Sequence, residues 1–212
     1  MNEYLKLAAS LLSPSPHLCC LCQKERYLGE DGLCDECRAG IRYANQPAPP
    51  AELDGLSAGL EYDDALAHAF YRFKAGGETY LAAFFAYFMK VPEAWQADVI
   101  VPVPLHPLKL WTRTYNQSEL LANELSGACG IRVDTSLLTR VHYTAAQKNR
   151  TAAARRTALK GAFKAAPEVK GRGIILVDDV VTTGSTLTAC AATLKKAGAA
   201  RVYAACAAEV GR

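Results

Sequence analysis

The stretch Ile174-Ile175-Leu176-Val177-Asp178-Asp179-Val180-Val181-Thr182-Thr183-Gly184-Ser185-Thr186 decides the fold. Its four leading apolar residues leave no polar face, which predicts a strand buried on both sides, as in a parallel sheet covered by helices. Two carboxylates follow, then a small, hydroxyl-rich loop that runs into Leu187 and a helical pattern. A helix N-terminus offers amides without intrahelical acceptors and the positive end of the dipole, so the loop reads as a phosphate cradle. The cradle comprises Val181, Thr182, Thr183, Gly184, Ser185 and Thr186. Asp178 and Asp179 lie between strand and cradle and therefore address the same ligand. A sugar phosphate meets both demands, its phosphate on the amides and its hydroxyls on the carboxylates. An ordinary strand–turn–helix explains the apolar run and the glycine. It gives no reason for an acid pair and several hydroxyls in the same few positions.

Working outward, residues 184–197 form the helix that follows, closed by Gly198, and 201–208 form a last strand. Upstream, 97–103 is an apolar strand that ends in Pro102-Val103-Pro104-Leu105-His106-Pro107. Those prolines fix the shape of the loop and remove donors from it. Lys109 and Arg113 come next, then a helix over 116–126 with Leu120, Leu121 and Leu125 inside, and a strand over 136–141. Trp111 reads as packing or as a stacking platform, His106 as a loop residue that is either structural or functional, and His68 as a surface or capping residue. Further upstream lie an extended lead-in over 56–62 and helices over 63–74 and 78–90, the second with Leu81, Phe84, Phe85 and Phe88 on its apolar side. Strands alternating with helices predict an α/β fold, a parallel sheet flanked by helices on both faces. Ligands collect at the carboxyl ends of such strands.

The second strong signal is Cys19-x-x-Cys22, eleven residues, then Cys34-x-x-Cys37. Each pair forms a tight knuckle, and two knuckles close a tetrahedral Zn²⁺ site with no open position. The stretch has almost no apolar core, so metal binding of about 10–16 kcal/mol would supply its folding energy. A closed site implies a structural or binding role rather than metal catalysis. A redox motif needs only one such pair at a helix start. Residues 2–12 carry Leu5, Ala8, Leu11 and Leu12 at helical spacing, and Asn45-Gln46-Pro47-Ala48-Pro49-Pro50 is a stiff, extended linker. The expected organisation is an N-terminal helix and lead-in at 1–16, a zinc ribbon at 17–44, a linker at 45–55 and the α/β domain at 56–212.

Charge is unevenly divided. Residues 25–98 carry six Lys/Arg against thirteen Asp/Glu, a net of −7, and residues 99–212 carry sixteen against seven, a net of +9. The basic half holds the phosphate loop, which favours an anionic ligand there. Within it, residues 140–172 hold nine Lys/Arg and one acid, Glu168. No apolar stripe anchors 144–158, so this reads either as a mobile basic loop that closes over a polyanion or as a solvated basic helix face. No apolar run is long enough to span a membrane. The N-terminus makes a poor signal peptide, and clustered C-x-x-C pairs suit a reducing compartment. A cytoplasmic location is expected.

The opening stretch resembles the phosphoribosyl-diphosphate (PRPP) signature of type I phosphoribosyltransferases. Joined to an N-terminal four-cysteine ribbon, it is similar to the ComF/ComFC family of bacterial competence proteins, which includes GntX-like members. Further segments carry the likeness: Val101-Pro102-Val103-Pro104-Leu105-His106-Pro107 as the pyrophosphate loop, Asn116-Gln117 with Glu119-Leu120-Leu121-Ala122 as the next helix, Phe73-Lys74 before Gly76-Gly77, and Gln147 to Arg155 followed by Gly161-Ala162-Phe163. Two places depart from the family pattern. Arg113-Thr114-Tyr115 replaces Arg-Gly-Phe, and Arg150 and Ala158 replace a Leu and an Asn in the loop.

The resemblance implies that Asp178 and Asp179 hold the ribose hydroxyls and that the 181–186 loop holds the 5′-phosphate. Pro104, Lys109 and Arg113 would lie on the pyrophosphate side, with Mg²⁺ accompanying PRPP. Gln147, Arg155 and Arg156 would ride on a closing loop, and Cys19, Cys22, Cys34 and Cys37 would hold the structural Zn²⁺. Three functions stay open. One is a PRPP-binding protein of DNA uptake or DNA utilisation that also meets single-stranded DNA. Another is an active phosphoribosyltransferase with an unidentified acceptor, displacing pyrophosphate from C1. The third is a zinc-ribbon adaptor for a DNA-uptake helicase or channel.

Overall fold

The computed structural model describes residues 18–46, 48–142, 159 and 161–211. The expected helix at 2–12 and the loop residues Gln147, Arg155 and Arg156 lie outside them.

The apolar run is the middle of β5 (Gly173–Val181), which pairs in parallel with β6 (Arg201–Glu209) on one side and β2 (Val99–Pro102) on the other. β6 carries β1 (Gly55–Glu61) at the far edge, giving the order β1-β6-β5-β2. Successive β5 side chains enter opposite cores. Ile175 and Val177 belong to one, Ile174 and Leu176 to the other, and this is why the sequence shows a continuous apolar run instead of alternation. The first core takes α2 (Asp64–Ala75), α3 (Leu81–Phe88) and α5 (Gln117–Cys129), with Phe70 stacked on Phe85 at 4.1 Å between ring centres. The second takes α6 (Ser185–Lys196) and the antiparallel pair β3 (Leu138–Arg140) and β4 (Phe163–Ala165). Because every strand of the main sheet runs the same way, Pro102, Val181, Glu209 and Glu61 end at one edge.

Local chemistry sets the helix bounds. The helix expected over 63–74 starts one residue later because Asp63 caps it, its carboxylate accepting from the Leu66 amide at 2.9 Å. The helix expected over 78–90 starts only at Leu81. Glu78 is drawn out of it by Arg72, whose Nη2 lies 3.0 Å from the carboxylate. Among the helices not expected is α4 (Pro107–Arg113). It has Pro107 in its first turn and His106 as N-cap, Nδ1 accepting from the Leu108 amide at 3.3 Å. It buries no residue, so it leaves no apolar stripe to read.

The chain leading into the expected linker runs along the sheet. Tyr43 bridges Leu60 in antiparallel fashion, and the Ala44 amide donates to Gly59 O at 3.1 Å. Gly59 permits close packing on its other side, since a Cβ there would meet Phe88 O at 2.7 Å. Asn45 N donates to Glu209 Oε1 at 2.8 Å, and Pro50 lies over Gly184. A cleft of about 360 Å³ lies beneath, lined by Asn45, Pro50, Glu61, Thr182, Gly184 and Glu209 among others.

Candidate functional site

β5 delivers Asp178 and Asp179 to the carboxyl edge of the sheet, and helix packing decides what each meets. Asp178 Oδ1 accepts from Ser118 Oγ at 3.1 Å and from the Asp179 amide at 2.9 Å. Ser118 is placed by the first turn of α5. There Asn116 caps the helix, taking the Ser118 amide at 3.2 Å while its Nδ2 donates to Val103 O at 3.1 Å. Asp179 Oδ1 accepts from the Val180 amide at 2.6 Å, and its Oδ2 lies 2.8 Å from Lys74 Nζ. Burial, and after it the Asp179 charge, push the Asp178 carboxyl up to about 7, against the Asp179 amide, Lys74 and Ser118. One carboxylate is thus paired with a cation and the other is poised near neutrality.

After Val181 the chain leaves the sheet and enters α6 through Gly184, whose φ of 68° is left-handed. A Cβ at that position would come within 2.9 Å of Pro50 Cγ, so glycine answers both the backbone and the space. α6 has no side-chain cap. Thr183 Oγ1 and Ser185 Oγ are 2.8 Å apart and share a hydrogen bond with each other. The first intrahelical amide bond is Thr188 N to Gly184 O at 2.8 Å. The amides of Ser185, Thr186 and Leu187 are therefore those a helix leaves open to an anion.

The proline loop leads to a third group of charges. Lys109, in α4, is held below the usual lysine range by burial and by the charges of Arg140 and Arg113. Burial also lowers Arg140, and the charge of Asp178 opposes that shift. Three cations gathered beside an acid pair suit a polyanion. Pro104 lines a small cleft of about 220 Å³ here, together with Leu105, Asn116, Glu119 and Arg140. Arg113 Nη1 donates to Gln117 Oε1 at 3.0 Å, and Gln117 Nε2 donates to Lys74 O at 3.4 Å. The turn between α4 and α5 keeps a left-handed residue, although the family glycine is Thr114 here (φ 67°, ψ −18°).

Lys74, Ser118, Gln117 and Arg140 were given no role from sequence, yet they surround the acid pair or the cation group. Lys74 had a signal in the Phe73-Lys74 motif and Gln117 in Asn116-Gln117. Ser118 contacts a residue 60 positions away, and nothing local marks it.

The four cysteines converge as their spacing predicts. Their Sγ atoms all lie within 4.8 Å of one another, and Cys22 Sγ is 3.9 Å from Cys34 Sγ. Tetrahedral Zn²⁺ with bonds of about 2.3 Å places sulfurs about 3.8 Å apart, so the donor set and its spacing fit that ion and leave no open position. The first knuckle turns through Gln23 (φ 58°), with Gln23 N donating to Cys19 O at 2.9 Å. The second is the start of α1 (Asp35–Gly40), with Cys34 as N-cap. The Cys34 amide donates to Cys19 Sγ at 3.5 Å. Amides aimed at Cys19 outweigh its burial and lower that thiol to about 7. The knuckle is tied to α2 by Arg72, a buried side chain whose Nη2 donates to Cys20 O at 2.9 Å.

Residues 117–212 match the phosphoribosyl transferase domain. The DNA utilization protein YhgH of Salmonella typhimurium is 32% identical over 90% of this chain and 96% of its own length. The chain belongs to the ComF/YhgH family. Competence protein F of Haemophilus influenzae is 42% identical over 52% of this chain and 47% of its own. Among solved structures, the glutamine PRPP amidotransferase of B. subtilis aligns with 60% of this chain and 25% of its own, at 22% identity and a TM-score of 0.39. The fold of this ComF/YhgH protein is a phosphoribosyltransferase-like parallel sheet flanked by helices, with a four-cysteine metal-binding cluster toward the N-terminus. Among the described residues, no helix is long and apolar enough to cross a membrane.

Proposed function

We propose that this ComF/YhgH protein binds PRPP at the carboxyl edge of its sheet and acts in DNA uptake or DNA utilisation. One observation carries the reading: an acid pair on β5 leads directly into an uncapped helix N-terminus, with Lys109, Arg113 and Arg140 grouped nearby. The 5′-phosphate takes the amides of Ser185, Thr186 and Leu187, with the hydroxyls of the 181–186 loop around it. Asp178 and Asp179 accept from the ribose hydroxyls. Pro104, Lys109 and Arg113 face the diphosphate on C1, and Gln147, Arg155 and Arg156 are assigned to the same ligand. The names of the relatives, DNA utilization protein and competence protein, support the cellular role. The basic 140–172 segment supports contact with single-stranded DNA, and the cysteine ribbon is a surface for a helicase or channel partner.

Magnesium fits this site as a companion of the ligand. Asp178 and Asp179 keep carboxylate lone pairs beyond those used by Ser118, Lys74 and the two amides, and Mg²⁺ is held by one or two carboxylates plus substrate phosphates. When bound it would neutralise diphosphate charge. The chain's own residues orient the ribose and position the diphosphate, which is most of what phosphoribosyl transfer requires. Whether an acceptor is used is decided by pyrophosphate release in the presence of bases, amines and ammonia. Release with one of them makes the protein a transferase, and none makes it a PRPP-dependent binding protein.

Calorimetric titration with PRPP and Mg²⁺ tests the binding. The wild type should bind, and Asp178→Ala or Asp179→Ala should weaken binding at least tenfold, about 1.4 kcal/mol or more. Equal binding by all three proteins excludes the acid pair as the ribose site.

A further inference from the structure

Helix α2 ends beside the acid pair and lends it a charge. Lys74 Nζ lies 2.8 Å from Asp179 Oδ2 and 5.3 Å from the centre of the Phe70 ring. The ammonium lies over the Phe70 ring while the side chain stays 29% exposed, so it can move without leaving the site. The Lys74 carbonyl accepts from Gln117 Nε2, and the oxygen of the same amide group accepts from Arg113 Nη1. A single glutamine thereby gathers two cations at the rim of the acid pair. The Tyr115 hydroxyl donates to Phe73 O and fixes the same end of α2.

We propose that Lys74 is a positioning and specificity residue: it holds Asp179 in the free protein and passes its ammonium to the C1 diphosphate when a ribose hydroxyl takes the carboxylate. The inference rests on the PRPP reading. A hydroxyl that donates to Asp179 shares the carboxylate with Lys74 and weakens its hold on the ammonium. An ammonium has three donors on a rotatable stem and can exchange one acceptor for another. A diphosphate brought beside two carboxylates also has to be neutralised, and Lys74 is already at that point. Ribose 5-phosphate offers the same hydroxyls and 5′-phosphate but no diphosphate, so it gains nothing from the exchange. Lys74 therefore selects PRPP over ribose 5-phosphate, and it adds to the charge neutralisation supplied by Lys109, Arg113 and Mg²⁺.

The test titrates zinc-loaded full-length wild type, Lys74→Met and Lys74→Arg with PRPP and with ribose 5-phosphate. Each titration is run with Mg²⁺ and without added Mg²⁺, with no chelator present because a chelator would attack the cysteine site. Met keeps an apolar stem, Arg keeps the charge, and circular dichroism with thermal unfolding reports folding. Without Mg²⁺, the wild type should prefer PRPP by about tenfold or more. Lys74→Met should lose most of that preference, bind ribose 5-phosphate within about threefold of wild type, and recover part of its PRPP affinity when Mg²⁺ is added. Lys74→Arg should keep the preference. A Lys74→Met protein that retains the wild-type preference overturns the inference, and so does one that loses both ligands equally. If the wild type binds neither ligand, the PRPP reading fails and takes the inference with it. If it binds PRPP and Lys74→Met behaves like wild type, only the role of Lys74 fails.

Discussion

Asp178 shows what the fold asks of a single residue. Its carboxyl is held among Ser118, Asp179 and the core, and its affinity for a proton rises to about 7. The sign of the consequence is fixed by linkage. In the unfolded chain this carboxyl ionises near pH 4, whereas in the folded protein it keeps its proton up to about 7. The folded state therefore binds more protons between those values, and the contribution of Asp178 to stability falls as pH rises through that window. Asp178→Asn should remove this slope and make the protein about 1–2 kcal/mol more stable than wild type at pH 8, while abolishing sugar-phosphate binding. Urea denaturation of both proteins from pH 5 to 8 checks it. A difference that does not change with pH would show that the carboxyl is ordinary. The existence of the acid pair was legible from sequence because it is local, two adjacent acids after an apolar run. Its partners were not, because Lys74 and Ser118 come from other elements, and chain separation hides such contacts.

At the scale of elements, the α4–α5 junction is the informative one. Arg113, Thr114 and Tyr115 connect the cation group to the helix that carries Asn116, Gln117 and Ser118. Thr114 adopts a left-handed φ of 67°, a conformation that disfavours a β-branched residue by about 1–2 kcal/mol. The turn is thus maintained in spite of the side chain, and Asn116 and Gln117 stay in place. Thr114→Gly should relieve the strain. After the greater flexibility of glycine in the unfolded chain is subtracted, the gain is about 0.5–1 kcal/mol, read as a higher urea midpoint at an unchanged m-value. A loss of stability would mean that the Thr114 hydroxyl, which donates to Arg113 O at 2.6 Å, matters more than the backbone. Strong elements were readable for a physical reason: β5 and β2 are buried on both faces, and α2 announces its start with Asp63. α4 was missed because it buries nothing, although His106 before Pro107 is the cap-and-proline signature of a helix start. β4 was missed because three residues, Phe163–Ala165, carry too little pattern to mark a strand that exists only by pairing with β3.

The whole molecule joins a four-cysteine ribbon to a phosphoribosyltransferase-like sheet. Cys19, Leu33 and Cys34 pack in the same core as Phe70, Phe73 and Phe85. Arg72 fastens the two parts, with the Cys20 and Leu21 carbonyls on one side and Glu78 and Tyr80 on the other. Two residues farther along the same helix stands Lys74, in contact with Asp179. Arg72→Ala should cost about 2–4 kcal/mol, because it leaves two carbonyls without their donor and the Glu78 carboxylate without its cation. It should also weaken zinc retention, which is measurable as faster metal transfer to a colorimetric chelator. Unchanged stability and unchanged metal transfer would show that ribbon and sheet are independent. From sequence, the cysteine spacing disclosed the ribbon, but a buried arginine bonded to backbone carbonyls leaves no pattern, so its attachment became visible only in three dimensions. The contacts of residues 42–46 along the sheet are another such long-range fact.

The central claim is that the strand–loop–helix unit around residues 174–186 is a sugar-phosphate site. A crystal structure of the zinc-loaded protein with PRPP and Mg²⁺ tests it most directly. The account predicts the 5′-phosphate on the amides of Ser185, Thr186 and Leu187 and the ribose hydroxyls on Asp178 and Asp179, with the C1 diphosphate toward Arg113 and Lys74. PRPP bound away from this edge, or with its ribose turned from both carboxylates, would contradict it.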